Sequence, residues 1–294
     1  MSTLAELVSL LDLETLDTNL FRARNAPTNW RTHVGRVFGG QVLAQALVAA
    51  QRTVEDIDAH SLHAYFILPG DPQVPIIYET ERVRDGRSFT TRRVVAIQHG
   101  RPIFVMSASF HKREDGFEHQ LPLPEGVPPP EALTSVADLP QEMLAKLPER
   151  VRTYWTRPRP VELRPVSLGH YTGTPPREPV QYVWFRAAGE LPDDPGLHRA
   201  VLAYTSDMTL LETALVTHGN SVLGDNIQGA SLDHALWLHR PFRVDDWLLY
   251  AQDSPFAGGA RGLARGLIYD RGGRLVASVA QEGLIRPVAV LPSK

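Results

Sequence analysis

The chain has 294 residues, of which 43% are hydrophobic and 21% charged, with a net charge of −3 and no cysteine. The missing thiols exclude disulfides, thiolate nucleophiles, iron–sulfur clusters and cysteine zinc sites, and the near-neutral balance gives no footprint for a nucleic-acid partner. No apolar run approaches the ~18 residues of a membrane span. The opening MSTLAELVSLLDLETL lacks the basic start of a signal peptide, and the closing LPSK is not a peroxisomal address, so a cytoplasmic location is expected.

In chain order, the opening reads as a short amphipathic helix with Leu4, Leu7, Val8 and Leu11 on one side. A Gly-headed apolar helix follows, GGQVLAQALVAAQ (39–51). Strands rich in β-branched and aromatic residues come next, at 60–71, 75–86, 87–100 and 101–112. Prolines then cluster in LPLPEGVPPPEAL (121–133) and in 147–165, marking a connector. Between the two clusters, SVADLPQEMLAKL reads as one short helix. After the connector come a strand at 181–189 and a helix over about 195–218. That helix has Asp194 as N-cap, Pro195 at its first position and Gly219 as its stop. Strands at 231–242, 247–255, 260–273 and 274–286 close the chain.

The two halves repeat. HAYFILP (63–69) matches HALWLHRP (234–241) at an offset of 171–172, and IQHGRPIFVMSAS (97–109) matches IYDRGGRLVASVA at 173. Each unit is one helix followed by antiparallel strands, an α+β arrangement in which a curved sheet wraps a buried central helix. The divisions read as 1–120 for the first repeat with its leading helix, 121–160 for the connector and 161–294 for the second repeat.

Several chemistries lack their motifs: there is no G-x-S-x-G elbow, no P-loop and no G-x-G-x-x-G in GRVFGG (35–40). The pairs His60/His63 and His234/His239 lack helical spacing and a completing carboxylate, so neither a metal nor a cofactor is expected.

Asp207 is the anomaly. On a wheel of 100° per residue, Ala203, Tyr204, Leu210, Leu211 and Ala214 fall within about 60° of it. Thr205, Thr209, Glu212 and Thr213 lie behind, and Glu212 reads as an ordinary surface charge. A carboxylate at the centre of an apolar stripe needs compensating donors or a chemical use. In RLVASVAQEGLIR, alternation puts Leu275, Ala277, Val279 and Gln281 in one row, so Gln281 ends the row that faces the helix. Ser231 opens its strand, in a row with Asp233, Ala235 and Trp237. Each of the three residues also has a plain reading, as a capped acid, a core-edge amide and a turn hydroxyl. Together they form a set in which Asp207 takes a proton from a water that Gln281 and Ser231 orient, suited to an activated acyl group such as a thioester. A helix start or a nearby backbone N–H can polarise the carbonyl, and Gly39 and Gly40 are candidate substrate contacts.

The segments GRVFGGQVLAQAL, HSLHAYFILPGD, FEHQ, LAYTSDMTLL, SLDHALWLHRPF and RLVASVAQEGLIR, in this order, resemble the acyl-CoA thioesterase II family of double hotdog proteins over about residues 3–288. The resemblance implies a double hotdog fold and an Asp–Thr–Gln constellation orienting water at an acyl-CoA thioester. It maps onto Asp207 and Gln281, with Ser231 where the family often has Thr. It implies one site per chain, since the first helix carries no acid, and a homodimer or homotetramer. Arg84, Arg87, Arg92 and Arg93 crowd one hairpin as candidates for the CoA phosphates. A hotdog hydratase or dehydratase, or a non-catalytic acyl-CoA binder, is the alternative; a lyase wants an acid–His pair, and no His belongs to the matched set.

Overall fold

The structure, a computed structural model, describes residues 3–24 and 35–288; the closing LPSK lies outside them. The N-terminal half contains α1 (Thr3–Leu11), β1 (Glu14–Asp17), β2 (Leu20–Ala23), α2 (Gly39–Gln51), β3 (Asp58–Phe66), β4 (Ile76–Asp85), β5 (Phe89–Gln98) and β6 (Arg101–His111). The connector carries the short helices α3 (Gln141–Leu144) and α4 (Glu149–Trp155). The C-terminal half contains β7 (Val161–Pro165), β8 (Val180–Ala187), α5 (Pro195–Ser206), β9 (Ile227–Ser231), β10 (Asp233–Leu238), β11 (Leu248–Gly258), β12 (Arg261–Asp270) and β13 (Leu275–Pro287).

All of these strands form one antiparallel sheet in the order β1-β2-β4-β5-β6-β3-β10-β13-β12-β11-β8-β7, with β9 alongside β13. The order is its own mirror about the β3–β10 junction, as a duplication requires. At that junction Leu62 pairs with Leu236, and Ala64 with His234. The helices α2 and α5 pack against each other inside the curved sheet, and one continuous core runs through both halves. The fold is the expected α+β double hotdog.

Close helix approach depends on glycine. A methyl on Gly40 would lie 2.4 Å from the Tyr204 carbonyl oxygen, far inside contact distance, so α2 can lie this close to α5 only without a side chain there. The shared core also takes in α1, whose Leu4, Leu7, Leu10 and Leu11 are buried.

Three local expectations change. The helix expected over 195–218 begins as foreseen, with the Asp194 carboxylate accepting from the Gly196 and Leu197 amides at 2.8 and 3.2 Å. It ends at Ser206, however, and two 3-10 turns, Leu211–Ala214 and Val216–His218, complete the segment before Gly219 at φ +61°. Thr205 and Ser206 turn their hydroxyls back onto the Val201 and Ala203 carbonyls, a pattern that weakens and bends helices. In the connector, SVADLPQEMLAKL forms a 3-10 turn and α3 rather than one helix, because Pro140 divides it. The connector is laid on the outer face of the second half, where Leu123, Val127 and Leu133 pack on Trp184, Trp247, Leu249 and Tyr269.

The third change concerns the hairpin arginines. Arg92 points inward and is 1% exposed. Its guanidinium donates to Thr53 Oγ1 (2.7 Å), to the Thr53, Arg84 and Thr91 carbonyls, and to Asp85. It is a structural clamp on the end of α2, unavailable to a phosphate. Arg93 is exposed, 3.5 Å from Glu81. Arg92→Ala is therefore expected to lower unfolding free energy by about 2–3 kcal/mol through lost packing and orphaned acceptors, and Arg93→Ala by less than about 0.5 kcal/mol. Urea unfolding of the two variants checks this; equal effects would contradict the clamp.

Candidate active site

Asp207 is the residue at which α5 stops, with φ −86° and ψ −6°. This last helical step still turns its side chain inward, and that side chain is only 3% exposed. Gln281 lies on the inward row of β13 with Ala277 and Val279, and its Nε2 donates to Asp207 Oδ1 at 2.6 Å. The Ser231 hydroxyl donates to the same oxygen at 3.1 Å. The three residues singled out from the sequence are brought together on one carboxylate oxygen.

Ser231 arrives by a route that simple alternation misses. It ends β9, paired with Gly283, whereas further along β13 Ala235 pairs with Ala280. The pairing shifts by one residue at Leu232, whose amide bonds to the Glu282 carbonyl while Glu282 N–H bonds to the Asp233 carboxylate. This bulge-like step turns Ser231 to the inner face, away from Asp233.

The other carboxylate oxygen faces the first half. A methyl on Gly39 would lie 2.8 Å from Asp207 Oδ2 and 2.9 Å from the Phe66 ring, so the start of α2 meets the acid directly. The Gly40 amide hydrogen-bonds to it, which adds the positive end of a 13-residue helix. Burial pushes the Asp207 carboxyl up to about 6, against the opposing pull of Gln281, Ser231, the Gly40 amide and the Arg36 charge. The group stays ionised at neutral pH yet is basic enough to take a proton.

The acid opens onto a cavity of about 380 Å³, within the usual range for small-molecule sites. Val37, Phe38 and Gly39 form one side of it, Phe66, Ile67 and Leu68 another, and Tyr154, Trp155, Leu168 and Tyr171 of the region after α3 a third. Gly39 is in this wall; Gly40 acts through its amide and its contact with Tyr204. Arg84 and Arg87 are not among the lining residues. They sit at the tip of the β4–β5 hairpin, where Arg84 pairs with Thr91. That is the far end of the sheet from Phe66 and Phe104, so they take no part in the cavity wall.

Two features were not foreseen. Glu212, expected at the surface, is buried and lines the cavity. Its carboxylate bonds His170 Nε2 at 3.2 Å and accepts from the Val222 amide at 2.9 Å. The break after Ser206 changes the helical phase, so a wheel carried past Asp207 assigns the wrong face. His234 is also buried and touches Gln281 Nε2 at 3.1 Å and Ser206 Oγ at 2.9 Å. Its position in the row Leu232, His234, Leu236, Leu238 is the sequence signal that it points inward. The other histidines of the two pairs singled out from the sequence are engaged with neighbours: His60 with Ser109, His239 with Ser278, both at 2.8 Å, and His63 edge-on to Trp237. Among the described residues no group of three or more His, Asp or Glu is arranged to hold a metal, and no helix is long and apolar enough to cross a membrane.

Comparison with known proteins places the chain among acyl-CoA thioesterases. The family model described as acyl-CoA thioesterase matches residues 152–284, and that described as acyl-CoA thioesterase N-terminal domain matches 26–111. Acyl-coenzyme A thioesterase 8 of Mus musculus is 42% identical over 287 residues, covering 95% of this chain and 88% of that protein. Acyl-CoA thioesterase 2 of Haemophilus influenzae is 43% identical over 286 residues, covering 96% and 98%. The crystal structure of an acyl-CoA thioesterase II from Mycobacterium marinum superimposes with a TM-score of 0.76 at 43% identity, covering 96% of this chain and 99% of that one.

A buried acid raised from its usual 3.8 to about 6 has a consequence for stability. The folded chain holds that proton more tightly than the unfolded chain, so the ionised form costs stability, on the order of 3 kcal/mol above pH 6. The cost fades as pH falls through 6 towards 4. Asp207→Asn, which keeps an acceptor for Gln281 and Ser231, is expected to raise the melting temperature at pH 8 and to leave it nearly unchanged at pH 4. A lower melting temperature at pH 8 would contradict the burial cost.

Proposed function

This chain belongs to the acyl-CoA thioesterase family, and we propose that it hydrolyses acyl-CoA to a carboxylic acid and CoA through a water activated by Asp207, without a covalent intermediate. The observation that carries this reading is the Asp207 carboxylate at a mostly apolar cavity, with Gln281 and Ser231 fixed as donors on one of its oxygens; the other cavity carboxylate, Glu212, is tied to His170 and the Val222 amide. Asp207 takes a proton from water as the water oxygen bonds to the thioester carbonyl carbon. The carbonyl oxygen gains negative charge, which the amide end of α2 at Gly39 stabilises. The C–S bond then breaks, and the proton held by Asp207 leaves with the CoA sulfur. The apolar walls formed by Phe38, Phe66, Leu68 and Trp155 suit the acyl chain. Assembly as a homodimer or homotetramer, and a place in cytoplasmic fatty-acid metabolism, belong to the same reading. The exposed side chains of Tyr65, Ile67 and Phe256 support the assembly.

A hydratase or dehydratase would use an acid and a histidine on adjacent substrate carbons. Here the nearest histidine, His234, is fully buried and bonded to Gln281 and Ser206, away from the cavity wall, which favours hydrolysis.

Release of free CoA from a panel of acyl-CoAs tests the proposal. Wild type is expected to release CoA, with Asp207→Asn reduced about 10²–10⁴-fold, as for a lost general base, and with smaller losses for Ser231→Ala and Gln281→Ala. The rate should fall about tenfold per pH unit below pH 6 as Asp207 protonates. A wild type that releases no CoA from any member sinks the hydrolase reading; an unimpaired Asp207→Asn removes Asp207 from it.

A further inference from the structure

We propose that His234 is a positioning residue that fixes the Gln281 amide with its nitrogen towards Asp207. The inference rests on the reading of Asp207 as the base. It follows from a chain of hydrogen bonds whose directions are set at its far end. The Ser206 hydroxyl donates to the Ala203 carbonyl at 2.9 Å, so its oxygen is left as an acceptor. It can accept only from His234 Nε2, 2.9 Å away, which places the ring proton on Nε2 and leaves Nδ1 with a lone pair. That lone pair accepts from Gln281 Nε2 at 3.1 Å, and the second amide proton goes to Asp207 Oδ1 at 2.6 Å. A flipped amide would set its oxygen against both the Nδ1 lone pair and the carboxylate. One histidine tautomer thus forces the amide orientation that the acid needs. The same orientation leaves Gln281 Oε1 as a buried acceptor with no partner among the described residues, on the same amide as the donor to Asp207.

The ring must stay neutral for this to hold. Burial lowers the His234 pKa to about 3, so its 4.0 Å approach to Asp207 is not an ion pair. The other charged or titratable groups acting on Asp207 are Arg36 ahead of α2, Tyr204 on α5, Tyr250 on β11 and Tyr154 on α4. Burial raises all three tyrosines, so none of them changes charge near the acid's own midpoint.

The duplication supplies an internal contrast. Leu62 and Ala108 form a cross-strand pair in the first half. In the second half Ala235 pairs with Ala280, so His234 and Gln281 take the corresponding places; the sequence match of His63 with His234 is one residue out of this register, since His63 is exposed whereas Leu62 and His234 are both buried. The half without an acid carries a plain apolar pair where the other carries the histidine and its amide.

Nitrogen-15 NMR of the histidine rings in the wild-type chain, with His234→Asn as the assignment reference, tests the tautomer. His234 should be protonated on Nε2 alone and should not titrate between pH 5 and 8; an Nδ1-protonated or titrating ring overturns the proposal. Kinetics of two variants test the consequence. His234→Leu removes the acceptor for Gln281, and weakening a charge-assisted bond of this kind is expected to lower kcat about tenfold and move the acid limb up by roughly one pH unit, with KM for the same acyl-CoA nearly unchanged. His234→Asn, whose Oδ1 replaces the Nδ1 acceptor, should stay within about threefold of wild type. An unchanged kcat and acid limb in the leucine variant, or an asparagine variant as impaired as the leucine one, overturns the proposal. If the leucine variant does not fold, the wild-type tautomer and the asparagine variant decide. Activity in Asp207→Asn would remove the base but leave the tautomer result standing, so the two failures are distinguishable.

Discussion

The structure turns on a carboxylate buried between two helix ends. Asp207 closes α5, where the helix dipole opposes a negative charge, and faces the start of α2, where it favours one. The acid can occupy that place only because α2 and α5 approach closely, and they do so because Gly39 and Gly40 present no side chains. The long curved sheet holds the two helices together. Each half alone would leave its helix partly uncovered, and the β3–β10 pairing joins them into one core. Burial raises the pKa of the acid, and the Gln281, Ser231 and Gly40 donors limit how far. The balance near 6 is the property a general base at neutral pH requires.

The site is asymmetric although the scaffold is a repeat. Tyr78 and Tyr250 occupy matching strand positions and keep matching tasks, bonding Gln45 in the first half and the Ser206 carbonyl in the second. The polar machinery has no such match, because Leu62 and Ala108 stand where His234 and Gln281 would be. The first half instead contributes the amide end of α2 and the Phe38 and Phe66 walls. Neither half is sufficient, which gives a physical reason for both to remain in one chain.

Much of this was legible in the sequence, and the exceptions have causes. Strands β3 to β6 and β10 to β13 could be read because their buried faces impose alternation. The fully exposed β1, Glu14–Asp17, has no such face, and β7 lay inside a proline-rich stretch that reads as a connector. Asp207 was placed correctly by a wheel because helical phase survives to the residue that ends α5. Glu212, five residues on, was misplaced because the phase does not survive the break. Gln281 followed from parity. Ser231 reached the inner face only through the register step at Leu232, which depends on pairing across strands. His234 sat in an inward apolar row, but its role depends on a tautomer set by Ser206, a long-range relation with no local signature.

Burial, set against three donors, holds the Asp207 carboxyl near 6. Carbon-13 NMR of labelled aspartate carboxyl groups between pH 4 and 8, with Asp207→Asn as reference, measures this directly in the resting protein. One carboxyl signal absent from the variant should titrate with a midpoint near 6. A midpoint at the ordinary value near 4, or a carboxyl that stays protonated through pH 8, would contradict it.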